Sequence, residues 1–128
     1  MSVVPASVPP MTLTMGMITI DCADPTRLAS FWTRALGTEI DQDYGFFLTL
    51  KPPAQGGLVL GFQQVPEPRK GKNRVHIDFG ASDRKEEIAR LVALGAAEHD
   101  THEVPGLTWT VLTDPEGNEF CVSSGSHG

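Results

Sequence analysis

Five side chains in the second half of the sequence combine types and spacing that bear chemistry. Arg74, His76 and Asp78 alternate along one short stretch, which on an extended chain puts all three on one face. Glu119 and Cys121 alternate in the same way nearer the C-terminus, on what reads as a neighbouring strand. A histidine beside carboxylates is equipped for proton transfer next to a carbonyl, because its charge changes near neutral pH and Asp78 or Glu119 would tune it. His76, Asp78 and Glu119 are therefore the candidate catalytic residues. The plainer reading of the same residues is a ladder of ion pairs and hydrogen bonds, with Arg74 bridging Asp78 or Glu119 and His76 satisfied within it. The sharper reading requires a pocket that reaches His76.

Other reactive types are less well placed. Cys121 reads as a small buried residue, since no cation other than His76 is at hand to draw out a thiolate. Trp109 lies on a strand with Val111 on its face, either in an aromatic core or stacked on a ligand. Trp32 falls in a helix stripe and reads as core. His99, His102 and Glu103 are loosely spaced like metal ligands, but they sit in an expected turn or strand end and read as solvated. His127 belongs to a Gly and Ser tail.

The elements that must hold these residues are legible from periodicity. Asp24 is placed to cap a helix with Pro25 at its first position, Leu28, Phe31, Trp32, Ala35 and Leu36 recur at helical spacing, and Gly37 ends it. Before it, residues 15–22 alternate, with Ile18, Ile20 and Cys22 on one side and Met17, Thr19 and Asp21 on the other. Three short strands follow, at 39–42, 46–50 and 58–64. The order then repeats: a strand at 73–79, a helix capped by Asp83 and Glu86 with Ile88, Leu91, Val92 and Leu94 as its stripe and Gly95 as its stop, then strands around Glu98, at 107–112 and at 118–123. A tight turn at 114–117 precedes the last of these. The offset of about 59 residues pairs Asp24 with Asp83, Met17 with His76 and Thr19 with Asp78, so the chain reads as one supersecondary unit duplicated. Such units bury one sheet face under a helix and turn the other into a cup.

At 128 residues the chain fits one domain, expected over 15–124 with halves at 15–65 and 72–124 and tails at 1–14 and 125–128. Met11 and Met15 are alternative starts to Met1. Ten Lys and Arg against sixteen Asp and Glu give a net charge of -6, which repels a phosphate backbone. The one basic group, Arg69, Lys70, Lys72 and Arg74, reads as a linker, so no nucleic-acid partner is expected. No apolar run is long enough to span a membrane, and residues 1–14 lack the pattern of an export signal, so a cytoplasmic location is expected. Cys22 and Cys121 form no disulfide framework.

Three stretches of the chain resemble the vicinal-oxygen-chelate superfamily, and most of all its small glyoxalase-like and bleomycin-resistance-like domains. They are residues 21–25 running through Phe31-Trp32 and Leu36-Gly37, then 72–78, then 114–120. The resemblance implies an α+β fold of two βαβββ modules that form a cup-shaped mixed sheet with helices on its outer face. It implies a small-molecule ligand in the cup and a homodimer. Members commonly hold one divalent metal on His, Gln or Glu from the first and last strand of each half. Carried over, those positions are Met17, His76, Cys121 and, in half one, Leu60 or Phe62. Thioether and hydrocarbon do not suit such ions, so neither a metal nor another cofactor is expected. Met17, Thr19, Leu60, Phe62, Arg74, Trp109 and Cys121 would line the cup, with lyase or isomerase-like acid/base chemistry at His76 or simple sequestration. Two alternatives stay open: a metal-dependent lyase, isomerase or dioxygenase, and an interaction domain whose cup has filled with side chains.

Overall fold

The computed structural model describes residues 16–52, 57–68, 70, 71, 73 and 75–125. Arg74, His127 and the segment expected as an N-terminal tail lie outside them. Two modules follow one another: β1 (Met17–Cys22), α1 (Pro25–Leu36), β2 (Ile40–Asp43), β3 (Phe47–Leu50) and β4 (Val59–Gln64), then β5 (Ile77–Gly80), α2 (Arg84–Leu94), β6 (Ala97–Val104), β7 (Leu107–Thr113) and β8 (Glu119–Gly125). Each module is a four-stranded mixed sheet, ordered β1-β4-β3-β2 in one and β5-β8-β7-β6 in the other, with β1 parallel to β4 and β5 parallel to β8.

Both helices begin as the sequence predicts. The Asp24 carboxylate accepts from the Arg27 amide at 3.1 Å, and the Asp83 carboxylate accepts from the Glu86 amide at 3.1 Å, so each removes an unpaired donor from a first turn. Gly37, at φ 67°, closes α1 in the left-handed region that a side chain would strain. Leu28, Ala29, Phe31 and Trp32 of α1 lie with Leu48, Leu50, Leu60 and Phe62 of the first sheet in a core that continues through Ile88, Leu91, Leu112, Phe120 and Val122 of the second module. Period-two alternation follows: residues between these core positions face away from the helices.

The modules are joined at α1. Trp32 packs against Phe79 and Phe120, at ring separations of 5.7 and 5.0 Å, and its indole N–H donates to the Asp114 carboxylate at 3.1 Å. Asp114 is 4 % exposed and also accepts from the amides of Glu116 and Asn118 and from the Asn118 side chain, so the turn before β8 is organised around one buried carboxylate. Next to it, the Glu116 carboxylate accepts from the amides of Ala23 and Asp24 at 2.9 and 2.8 Å. Arg90 of α2 donates to the carbonyls of Arg34 and Ala35 at the other end of α1.

Several expectations need correction. The strand expected from residue 73 begins at Ile77, which leaves His76 just ahead of it and Val75 73 % exposed rather than in line with Ile77 and Phe79. His99, His102 and Glu103 lie within β6, an eight-residue edge strand, although they are solvated as expected. Val92 is 42 % exposed, because the apolar stripe of α2 is narrower than its spacing implies. β8 extends to Gly125, one residue into the segment expected as a tail.

Candidate functional site

The face of the second sheet turned away from α2 carries the candidate residues. Register places Asp78 across from Cys121 and Cys121 across from Val111, while Glu119 lies across from Thr113. His76 extends this face from just before β5. Its Nε2 stands 3.2 Å from Glu119 Oε1 and 3.3 Å from the Asn73 carbonyl. Glu119 Oε1 is buried and makes no hydrogen bond of good geometry, so its contact with His76 is chiefly electrostatic and strongest when the imidazole is protonated. The two side chains are 30 % and 23 % exposed, enclosed enough for charge to matter and open enough to exchange protons.

Asp78 stands beside Cys121 on the same face. Burial first, then the neighbouring Asp78 carboxylate, pushes the Cys121 thiol up to about 11. Burial, followed by the charge of Glu116, pushes Cys22 up to about 12. Both cysteines are free, buried thiols, protonated at neutral pH, which suits the reading of Cys121 as a small interior residue rather than a nucleophile. Trp109 sits on the same face with its ring 5.5 Å from that of His102.

The matching face of the first sheet carries no such chemistry. Met17 and Thr19 are on it, as the alternation predicts, but Leu60 and Phe62 are not: they are 6 % and 0 % exposed in the core beneath α1. The position that corresponds to Cys121 is Gly61, which pairs with Thr19 as Cys121 pairs with Asp78. A Cβ built on Gly61 would stand 2.9 Å from the Met17 sulfur and 3.3 Å from the Phe47 ring, so these two side chains occupy the space a ligating residue would use.

A cavity of about 490 Å³ opens between the modules, walled by β1 from Ile18 to Cys22, by Asn73, Val75 and Ile77, and by Glu119. It reaches Asn73 and Glu119, the two groups that touch Nε2 of His76, without including His76 in its wall. Asn73 and Gly61 were missed by sequence reasoning. Gly61 was within reach had the register been known, whereas Asn73 carries no signal of its own.

Two duplicated βαβββ modules, each with its sheet covered by a helix on one side and open on the other, define the vicinal-oxygen-chelate fold. The Glyoxalase-like domain profile matches residues 17–123, and the chain belongs to that family. No curated protein matches by sequence. Among solved structures, a glyoxalase/bleomycin resistance protein/dioxygenase family enzyme from Burkholderia phytofirmans PsJN superposes with a TM-score of 0.71 at 17% identity, covering 87% of this chain and 98% of that one. A lactoylglutathione lyase from Agrobacterium tumefaciens gives 0.66 at 21%, covering 91% and 96%. A variant of the fosfomycin resistance protein FosX from Listeria monocytogenes, bound to Mn(II) and 1S,2S-dihydroxypropylphosphonic acid, gives 0.75 at 18%, covering 91% and 93%. At these identities the likeness shows the fold.

The divalent ion common in this fold does not fit the donors present. A thioether and a glycine replace two ligands, the third is an imidazole held against Glu119, and the fourth is a thiol whose proton is retained far above neutral pH. Among the described residues no three His, Cys, Asp or Glu side chains cluster as a metal site. No helix among them is long and apolar enough to cross a membrane.

Proposed function

We propose that the protein takes a small organic molecule into the cavity between its modules and acts on it, or holds it, without a metal. The observation that carries this reading is the reach of that cavity: it ends on Glu119, whose carboxylate is paired with His76. Glu119 is the member of the pair that meets the ligand, and His76, 3.2 Å from it, accepts or returns the proton. The mixed wall, apolar along Ile18, Ile20 and Ile77 and polar at Thr19, Asn73 and Glu119, suits an organic molecule with a few polar groups. The superposed lyase and the fosfomycin resistance protein, which act on or bind small molecules by their names, support the class of ligand.

We also infer a homodimer. Tyr44 and Phe46 are 60 % and 62 % exposed at the tip between β2 and β3, on the module whose open face carries Met17 at 44 %. Light scattering at micromolar concentration is expected to give twice the chain mass, and a monomer would refute this part.

The functional reading is tested by thermal shift against a panel of aromatic and polyketide-like metabolites, followed by turnover assays on each binder. A compound at a hundred times its Kd is expected to stabilise by about 2.7 kcal/mol. Glu119→Gln is expected to abolish turnover while leaving Kd within about threefold, because only the proton transfer is removed. If no compound shifts the protein, or Glu119→Gln turns over normally, the reading fails.

A further inference from the structure

Every residue from Ile18 to Ala23 walls the cavity between the modules. Neighbouring side chains on a strand point to opposite faces, so a space that touches all of them runs along the edge of β1 and not over one face. That edge is open. β1 is the outermost strand of its sheet, and β5, which meets the cavity through Ile77, is outermost in the other. Among the described residues no strand pairing joins the two sheets, and β1 pairs with β4 alone.

The bonds at the end of β1 show which of its backbone groups face the opening. The Cys22 carbonyl accepts from the Val65 amide at 2.9 Å, on the β4 side. The next amide, that of Ala23, points the other way and donates to the Glu116 carboxylate of the second module at 2.9 Å. Along a strand each residue turns its N–H and C=O to the same side, and successive residues alternate. Ile18 and Ile20 therefore bond to β4 as Cys22 does, while Thr19 and Asp21 each turn an N–H and a C=O to the cavity, about 6.6 Å apart along the strand. Among the described residues no loop or turn backbone bonds to either of them. An open strand edge of this kind is a template for another extended chain, because each donor and acceptor gains a partner when one is added.

We infer that the cavity selects a short peptide-like molecule, which presents amide N–H and C=O groups along an extended edge and adds itself to β1 as a further strand. The inference rests on the reading of this cavity as the ligand site and names the class of ligand. Thr19 and Asp21 hold the ligand's backbone, while Ile18, Ile20 and Ile77 offer apolar surface to its side groups. Glu116 already serves the Ala23 amide as a ligand carbonyl would serve the two before it, and so closes the edge at that end. The volume of about 490 Å³ likewise restricts the added strand to a few residues.

The test is calorimetry and native-state hydrogen exchange on the full chain, with N-acetyl-valylvaline methylamide as the probe. Without it, the amides of Thr19 and Asp21 are expected to exchange at least tenfold faster than that of Ile20, which lies in the ladder to β4. With it, Thr19 and Asp21 are expected to slow by about tenfold or more. The same probe methylated on its amide nitrogens loses its donors and is expected to bind about tenfold more weakly. Thr19→Pro removes one outward donor without touching the β4 ladder and is expected to weaken the probe by a similar factor; should that variant fail to fold, the methylated probe tests the same bond from the other side. The inference is overturned if aromatic compounds bind and the probe does not, if methylation leaves its affinity unchanged, or if neither amide slows. Failure of the probe and of every other compound would instead overturn the reading of the cavity as a ligand site, and this inference with it.

Discussion

The open faces of the two sheets share one topology and differ in what stands on it. On the first, Met17 and Phe47 close over Gly61; on the second, His76 meets Glu119 and Asp78 meets Cys121. The halves repeat one unit, and only the second carries a histidine–carboxylate pair. The difference shows that one duplicated backbone can carry a thioether and a ring over a glycine in one half and a histidine–carboxylate pair in the other.

Breaking the joint that holds the two faces in relation is expected to have the largest effect. Asp114→Ala leaves the Trp32 indole and two turn amides without their acceptor, at a cost of about 3 kcal/mol or more in urea unfolding. Substituting the matched positions sharpens the contrast. Gly61→Val forces two methyl groups against Met17 and Phe47 and is expected to cost roughly 1–3 kcal/mol, with Met17→Ala in the same chain recovering part of it. Cys121→Val, at the equivalent site of the other half, replaces a side chain of similar volume and should cost less than about 1.5 kcal/mol.

A smaller effect is expected from pH. The folded state raises both thiols, so above pH 9 the unfolded chain releases protons that the native chain retains, and stability falls as pH rises towards about 11 for Cys121 and about 12 for Cys22. Melting temperature measured between pH 8 and 11 is expected to decline less steeply in a Cys22→Ala/Cys121→Val variant. An equal decline would show that the thiols are not the cause. The smallest change in stability is expected from His76→Gln, below about 1 kcal/mol, because its partner is partly solvated.

Much of the fold was legible because it rests on local chemistry. Asp24-Pro25, the α1 stripe, Asp83 and the residue 114–117 turn each state their geometry within a few positions, and the repeat follows from their order. The pairing of His76 with Glu119 was legible as a possibility, since alternation puts both on one face. The half-one counterpart of Cys121 was not, because register is a long-range property. Thr19 to Asp78 is an offset of 59 residues, but Gly61 to Cys121 is 60, and a slip of one residue exchanges the two faces of a strand. That slip is what put Leu60 and Phe62 in the cup when they belong to the core. The late start of β5 escaped for a related reason: residues 73–76 alternate like a strand, yet β8 pairs with β5 only from Ile77 onward.

The central claim is that the polar half works without an ion. Elemental analysis of protein purified without chelator tests it most directly: less than about a tenth of an equivalent of every transition metal per chain is expected. A full equivalent of one divalent metal, lost in His76→Ala, would contradict it.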